Sequence, residues 1–213
     1  INYLLAEIPP YSAKYNFESD EISITGIREF KKDDVDEIRF KASNLLASIY
    51  FSSKFKTTQN KLIPDTYDIK IRPKILNRDQ SIKFNYQNNE INSKGLNEWS
   101  SSLDSNNTLY DPLNVQIIIR TFVKQGLTNF DLKIIDMEKG GYKTYTYSFI
   151  NNEECYFDNQ KYNCHVYERT QENSKRKVTY YLVKEFEFMF LKIIDISPER
   201  VNKLELKEIL SFG

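Results

Sequence analysis

Through most of this chain apolar and polar side chains alternate with a period of two, the pattern that places successive residues on opposite faces of a half-buried strand. In residues 45–57, Leu45, Ala47, Ile49, Phe51, Ser53 and Phe55 fall on one face, while Ser48, Ser52 and Lys54, with Tyr50 among them, fall on the other. Runs of the same kind occupy 13–18, 21–30, 36–43, 67–75, 80–86, 130–136, 142–149, 161–170, 175–184, 189–196 and 202–210. Their Ile, Val, Thr, Tyr and Phe content suits a pleated surface. The separators carry turn chemistry: Lys32-Asp33-Asp34, Asn77-Arg78-Asp79, Gln87-Asn88-Asn89, Gly140-Gly141, Asn151-Asn152, Asp158-Asn159 and Glu172-Asn173-Ser174. About eleven or more short strands joined by tight turns predict a mainly β fold, one curled or partly closed antiparallel sheet resembling an open barrel.

One segment breaks the alternation. Asp111-Pro112 offers an N-cap and a first-turn proline, and Gly126 stands where a left-handed C-terminal residue belongs, so 111–126 is expected to be a helix. Val115, Ile118, Ile119, Phe122 and Val123 then span an arc of about 140°. Asn114, Gln116, Arg120, Thr121 and Lys124 occupy the other side with Leu113 and Ile117. The β-branched content opposes this reading, and the same stretch also alternates as a strand. The expectation is an amphipathic helix with its apolar arc against the concave face of the sheet.

The 6 Gly and 6 Pro are scattered, with no linker and no repeat of fixed period, so 1–213 reads as a single domain with 1–10 as an N-terminal extension. Thirty basic and 30 acidic side chains cancel, which gives no support for a nucleic-acid or anionic-membrane surface. The most apolar stretch, 186–196, is interrupted by Glu187, Lys192 and Asp195, and no transmembrane span is expected. The chain opens at Ile1 without Met, for which a removed secretory signal is the expectation.

Chemistry is sparse. His165 is the only histidine, so two-histidine zinc motifs and multi-histidine sites are excluded. No glycine-rich nucleotide loop and no Gly-x-Ser-x-Gly elbow occurs, and the acidic run Asp33, Asp34, Asp36, Glu37 lacks the ligand spacing of a calcium loop. No catalytic residue, metal site or cofactor is expected. Cys155 and Cys164 flank a hairpin turning at Asp158-Asn159, which sets 155 opposite 162 with 164 one step along. A disulfide is expected if a bulge or longer loop shifts the register; two reduced thiols, or half of a Cys-Cys-His metal site, are the rival readings. A disulfide would place the protein in an oxidising compartment.

Aromatic residues, at 14%, are the one compositional excess. Tyr145, Tyr147 and Phe149 share one strand face. Core packing explains such residues, and so does the lining of an apolar pocket. If a ligand lies along the flank of the helix, Ile118 and Phe122 on the apolar arc, with Tyr145 and Tyr147 facing them, are the expected binding residues.

Leu62-Ile63-Pro64 with Tyr67, Tyr110-Asp111-Pro112-Leu113, 130–135, the 155–169 hairpin, Thr179-Tyr180-Tyr181-Leu182 and Leu191-Lys192-Ile193 together resemble the bacterial family catalogued as domain of unknown function 3108. The resemblance extends over about residues 11–210 and rests on order and spacing; Ser19-Asp20 departs from it in lacking a glycine. It implies an exported, periplasmic or envelope-associated protein without an established activity. By analogy of architecture it also points to envelope proteins in which a long sheet wraps a helix, lipoprotein carriers among them. Three functional classes follow: a non-catalytic carrier of an apolar or lipid-like ligand, a structural or protein-interaction module of the envelope, and, least supported, an enzyme whose carboxylates only folding brings together.

Overall fold

The computed structural model describes residues 5–20, 22–45, 47–73, 77–104 and 108–213. Among them fifteen strands form one sheet. Its first half is β1 (Tyr11–Glu18), β2 (Ser23–Lys31), β3 (Asp36–Ser43), β4 (Ser48–Thr57), β5 (Leu62–Arg72), β6 (Gln80–Asn85), β7 (Glu90–Gly95) and β8 (Trp99–Ser102). A two-residue β9 (Leu109–Tyr110) leads into α1 (Val115–Lys124). The second half is β10 (Asn129–Ile135), β11 (Tyr142–Phe157), β12 (Gln160–Thr170), β13 (Lys177–Val183), β14 (Met189–Ile196) and β15 (Val201–Phe212).

Each half is a meander, and β1 pairs with both β2 and β15, so the two halves join in the middle of the sheet and leave β8 and β9 as its edges. One pair departs from the expected antiparallel pattern: β9 and β10 are parallel, with α1 as their crossover. A twisted sheet of this width must curl, since open sheets beyond about ten strands seldom stay open. Its ends approach each other without a ladder. Trp99 Nε1 donates to the Met137 carbonyl at 3.1 Å and Gln80 Nε2 donates to the same oxygen at 2.7 Å. Gly140, with φ of 76°, lies under the Trp99 ring, where an added Cβ would come within 2.8 Å. The sheet is barrel-like and not closed.

Two local expectations are corrected. Leu45, expected at the start of the strand over 45–57, lies before β4 and is fully exposed. Asn151-Asn152, expected as a turn, lies inside β11, where a register shift between Phe149 and Asn151 absorbs the irregularity. Within the N-terminal extension, 1–4 fall outside the described residues.

The helix is shorter than expected: residues 112–114 form a turn, and α1 starts at Val115 with Asn114 as its N-cap. Asp111 Oδ1 accepts from the Leu113 and Asn114 amides, both at 2.8 Å, and the Asn114 side chain donates back to Asp111 Oδ2. At the other end Gly126 is left-handed at φ 78°; its amide donates to the Val123 carbonyl and the Leu127 amide to that of Phe122, a Schellman closure. The amphipathic picture needs correction. Ile117, Arg120 and Thr121, assigned to the polar side, are buried along with Val115, Ile118, Ile119 and Val123. The sheet curls so far that α1 lies inside it, and its polar side meets protein too: Thr121 Oγ1 donates to the Ala6 carbonyl, and Lys124 Nζ to that of Glu7. Arg120 donates from Nε and Nη2 to the Glu187 carbonyl, at 3.3 and 3.0 Å. That anchors a tight turn in which Glu187 and Phe188 are both left-handed.

Candidate functional site

Cys155 and Cys164 form a disulfide with a Cα separation of 5.9 Å. Asp158 and Asn159, both at positive φ, make the turn, and Cys155 pairs with Tyr162 while Cys164 pairs with Glu153. The cysteines are diagonal neighbours, so the bridge needs no bulge at this point of the hairpin. Phe157 and Tyr162 pack on Phe186 beside it, at 5.6 and 4.9 Å between ring centres. His165 lies in β12 between the rings of Phe149 and Phe188, and burial lowers its pKa. Among the described residues no group of three or more His, Cys, Asp or Glu side chains is gathered so as to hold a metal.

The four expected binding residues do not share one space. Ile118 and Tyr147 are fully buried. Phe122 meets Phe130 edge-on at 5.1 Å, and Phe130 stacks on Tyr147 at 5.2 Å, which in turn touches Tyr180. Ile118 points elsewhere, with Phe30 and Leu62, into a cleft of about 300 Å³ roofed by residues 5–8. Tyr145 alone of the four lines the cleft that has the chemistry of a binding site.

That cleft, about 320 Å³ and half-open, lies at one mouth of the curled sheet, where the first turn of α1 faces the inner surface of β10–β14. Strand register builds it. Arg169, Val178 and Asp195 stand in a row across β12, β13 and β14, with buried Tyr147 behind Arg169 on β11, and Tyr180 opposite Ile193 forms part of the adjoining wall. Val115, Ile134 and Ile135 supply further apolar surface, while Asp136, Glu138 and Lys143 stand around the β10–β11 turn.

Most charges here are mutually satisfied. Lys143 pairs with Asp136 at 2.9 Å, which holds that carboxyl low against burial and raises the lysine. Arg176 grips Asp195 with Nε on Oδ1 at 2.7 Å and Nη2 on Oδ2. Arg169 differs. Its guanidinium lies over the Tyr145 ring, 4.5 Å from the centre, and no carboxylate comes within ion-pairing distance of it among the described residues. Burial opposes its charge, but the neighbouring Tyr180, Tyr147, Tyr145 and Asp195 outweigh that and raise its pKa. Tyr147 and Tyr180 stay protonated because burial raises both. The Tyr147 hydroxyl sits beside Tyr180 and Arg169 without a hydrogen bond of ordinary geometry. An exposed-face reading of β12 would miss Arg169; the available signal was a cation two residues after Tyr167, on the same face of an alternating strand.

No family model matches the chain, and no curated protein matches it. Among solved structures it is similar to a beta-barrel-like protein of domain of unknown function 1849 from Brucella abortus, with 9% identity, 97% of this chain and 99% of that chain covered, and a TM-score of 0.61. At that identity the likeness concerns the fold: a barrel-like sheet matched along nearly its whole length.

Proposed function

We propose that this chain is a non-catalytic, exported protein of the periplasm or cell envelope that binds a small apolar or lipid-like ligand at the mouth cleft. The observation that carries the reading is the half-open 320 Å³ space bounded by Val115, Ile134, Val178 and Ile193, which lies within the usual size of ligand pockets. The stacked rings of Phe122, Phe130 and Tyr147 argue against a ligand swallowed along that flank of the helix. The disulfide supports an oxidising compartment. Kinship with domain of unknown function 3108 is part of the proposal; the solved neighbour belongs to a different domain of unknown function.

The test is native mass spectrometry after mild purification, followed by calorimetric titration with octanol and octanoate. Co-purified or added ligand at one site per chain supports the reading. Its absence in every case favours a second one, a structural or protein-interaction module of the envelope, for which the filled interior also speaks. Fractionation of cells expressing the natural gene tests location: a cytoplasmic, fully reduced protein removes the envelope assignment.

A further inference from the structure

We infer that the mouth cleft is a receptor for an oxyanion-headed amphiphile, with Arg169 as the group that takes the head. This rests on the binding reading above and adds the chemical class of the ligand.

Charge accounting inside the cleft leads there. Lys143 is neutralised by Asp136, and Arg176 by both oxygens of Asp195. Glu138 stands exposed on the rim. Arg169 is the remaining cation of the lining, half-buried, with its flat face on Tyr145, and no carboxylate among the described residues pairs with it. A guanidinium removed from bulk water without an anion is costly, whereas its fork matches a carboxylate or phosphate with two parallel hydrogen bonds. The ring stack leaves that fork pre-oriented, so little side-chain freedom is lost on binding.

The surroundings fit the same occupant. Beyond the head, Val115, Ile134 and Ile193 offer apolar surface for a short chain. A neutral apolar ligand would leave Arg169 unpaired in a more desolvated site, and a cation would be repelled by it.

The experiment compares octanoate with octanol on the wild-type protein by calorimetry, which needs no variant and so no assumption about folding. Octanoate is expected to bind about ten- to hundred-fold more tightly than octanol, the value of a charge-assisted hydrogen bond. In Arg169→Gln, octanoate should weaken by a similar factor with octanol unchanged, and Arg169→Lys should recover part of the loss. Octyl phosphate in place of octanoate identifies which oxyanion the head prefers; tighter binding of either supports the inference. Equal affinity for octanoate and octanol overturns the inference and leaves the apolar-ligand reading standing. Failure of all three ligands to bind overturns both.

Discussion

Breaking the Cys155–Cys164 bridge perturbs a part of the sheet with few strand neighbours. β12 pairs with β13 only from Cys164 onward, so residues 160–163 have β11 as their one strand partner, and residues 150–154 of β11 are exposed. A two-stranded ribbon of this kind is marginal by itself in water. The cysteines are 9 residues apart, and a loop of about that length restricts the unfolded chain by about 2.7 kcal/mol in the chain-entropy account. For a chain of this size that corresponds to a fall of about 5–11 °C in melting temperature. Two perturbations separate the link from the atoms. Reduction of the wild type removes only the link, while Cys155→Ala with Cys164→Ala also removes the buried sulfur of Cys164. Urea denaturation of the oxidised, reduced and double-variant proteins, followed by Trp99 fluorescence, gives the three stabilities. The variant should be slightly the least stable, and amide exchange should rise first between 150 and 163. A reduced protein within about 0.5 kcal/mol of the oxidised one would refute the reasoning, because it would mean that the unfolded chain already keeps the hairpin closed.

Gly26→Ala should cost about 1–3 kcal/mol in chemical denaturation, because its Cβ would lie 2.6 Å from that of Ala42 and 2.7 Å from the Lys41 carbonyl, which is backbone and cannot move aside; an unchanged midpoint would count against it. Burial pushes the pKa of Asp111 up to about 7, against the pull of hydrogen bonds from Ser53, Asn114 and Leu113. The folded state therefore holds that proton more tightly than the unfolded chain, and stability should fall by on the order of 4 kcal/mol as pH rises from about 4 to 7. Denaturation midpoints across that range should lose this slope in Asp111→Asn, and parallel curves for the two proteins would contradict it. Phe122→Ala should lower stability by about 3 kcal/mol, near the low end for a phenylalanine because the ring is half-buried, and leave octanoate affinity alone. A changed affinity would move the ligand to the far flank of the helix.

Local chemistry was legible in the residues themselves. Period-two alternation marks strands because side-chain direction is a property of the extended backbone, and Asp158-Asn159 closes its hairpin because both residues tolerate positive φ. Asp111 holds the turn that leads into the helix and Gly126 ends it for equally local reasons, and the hairpin brings the cysteines together. What alternation leaves open is which other face each strand surface meets. The pairing of β1 with β15 joins residues almost the whole chain apart, and it lets the sheet curl until Arg120 and Thr121 are enclosed. Ser53 reaching Asp111 at 2.6 Å, and Arg28 donating to Gln116, are contacts made only by that curl. The cleft depends on it as well. Arg169 becomes a cation without a carboxylate only because Arg176 takes Asp195 and Lys143 takes Asp136, three elements meeting at one mouth. Sequence decides which way each side chain points from its own strand; the closing of the sheet decides what it finds there, because those partners are set by long-range packing.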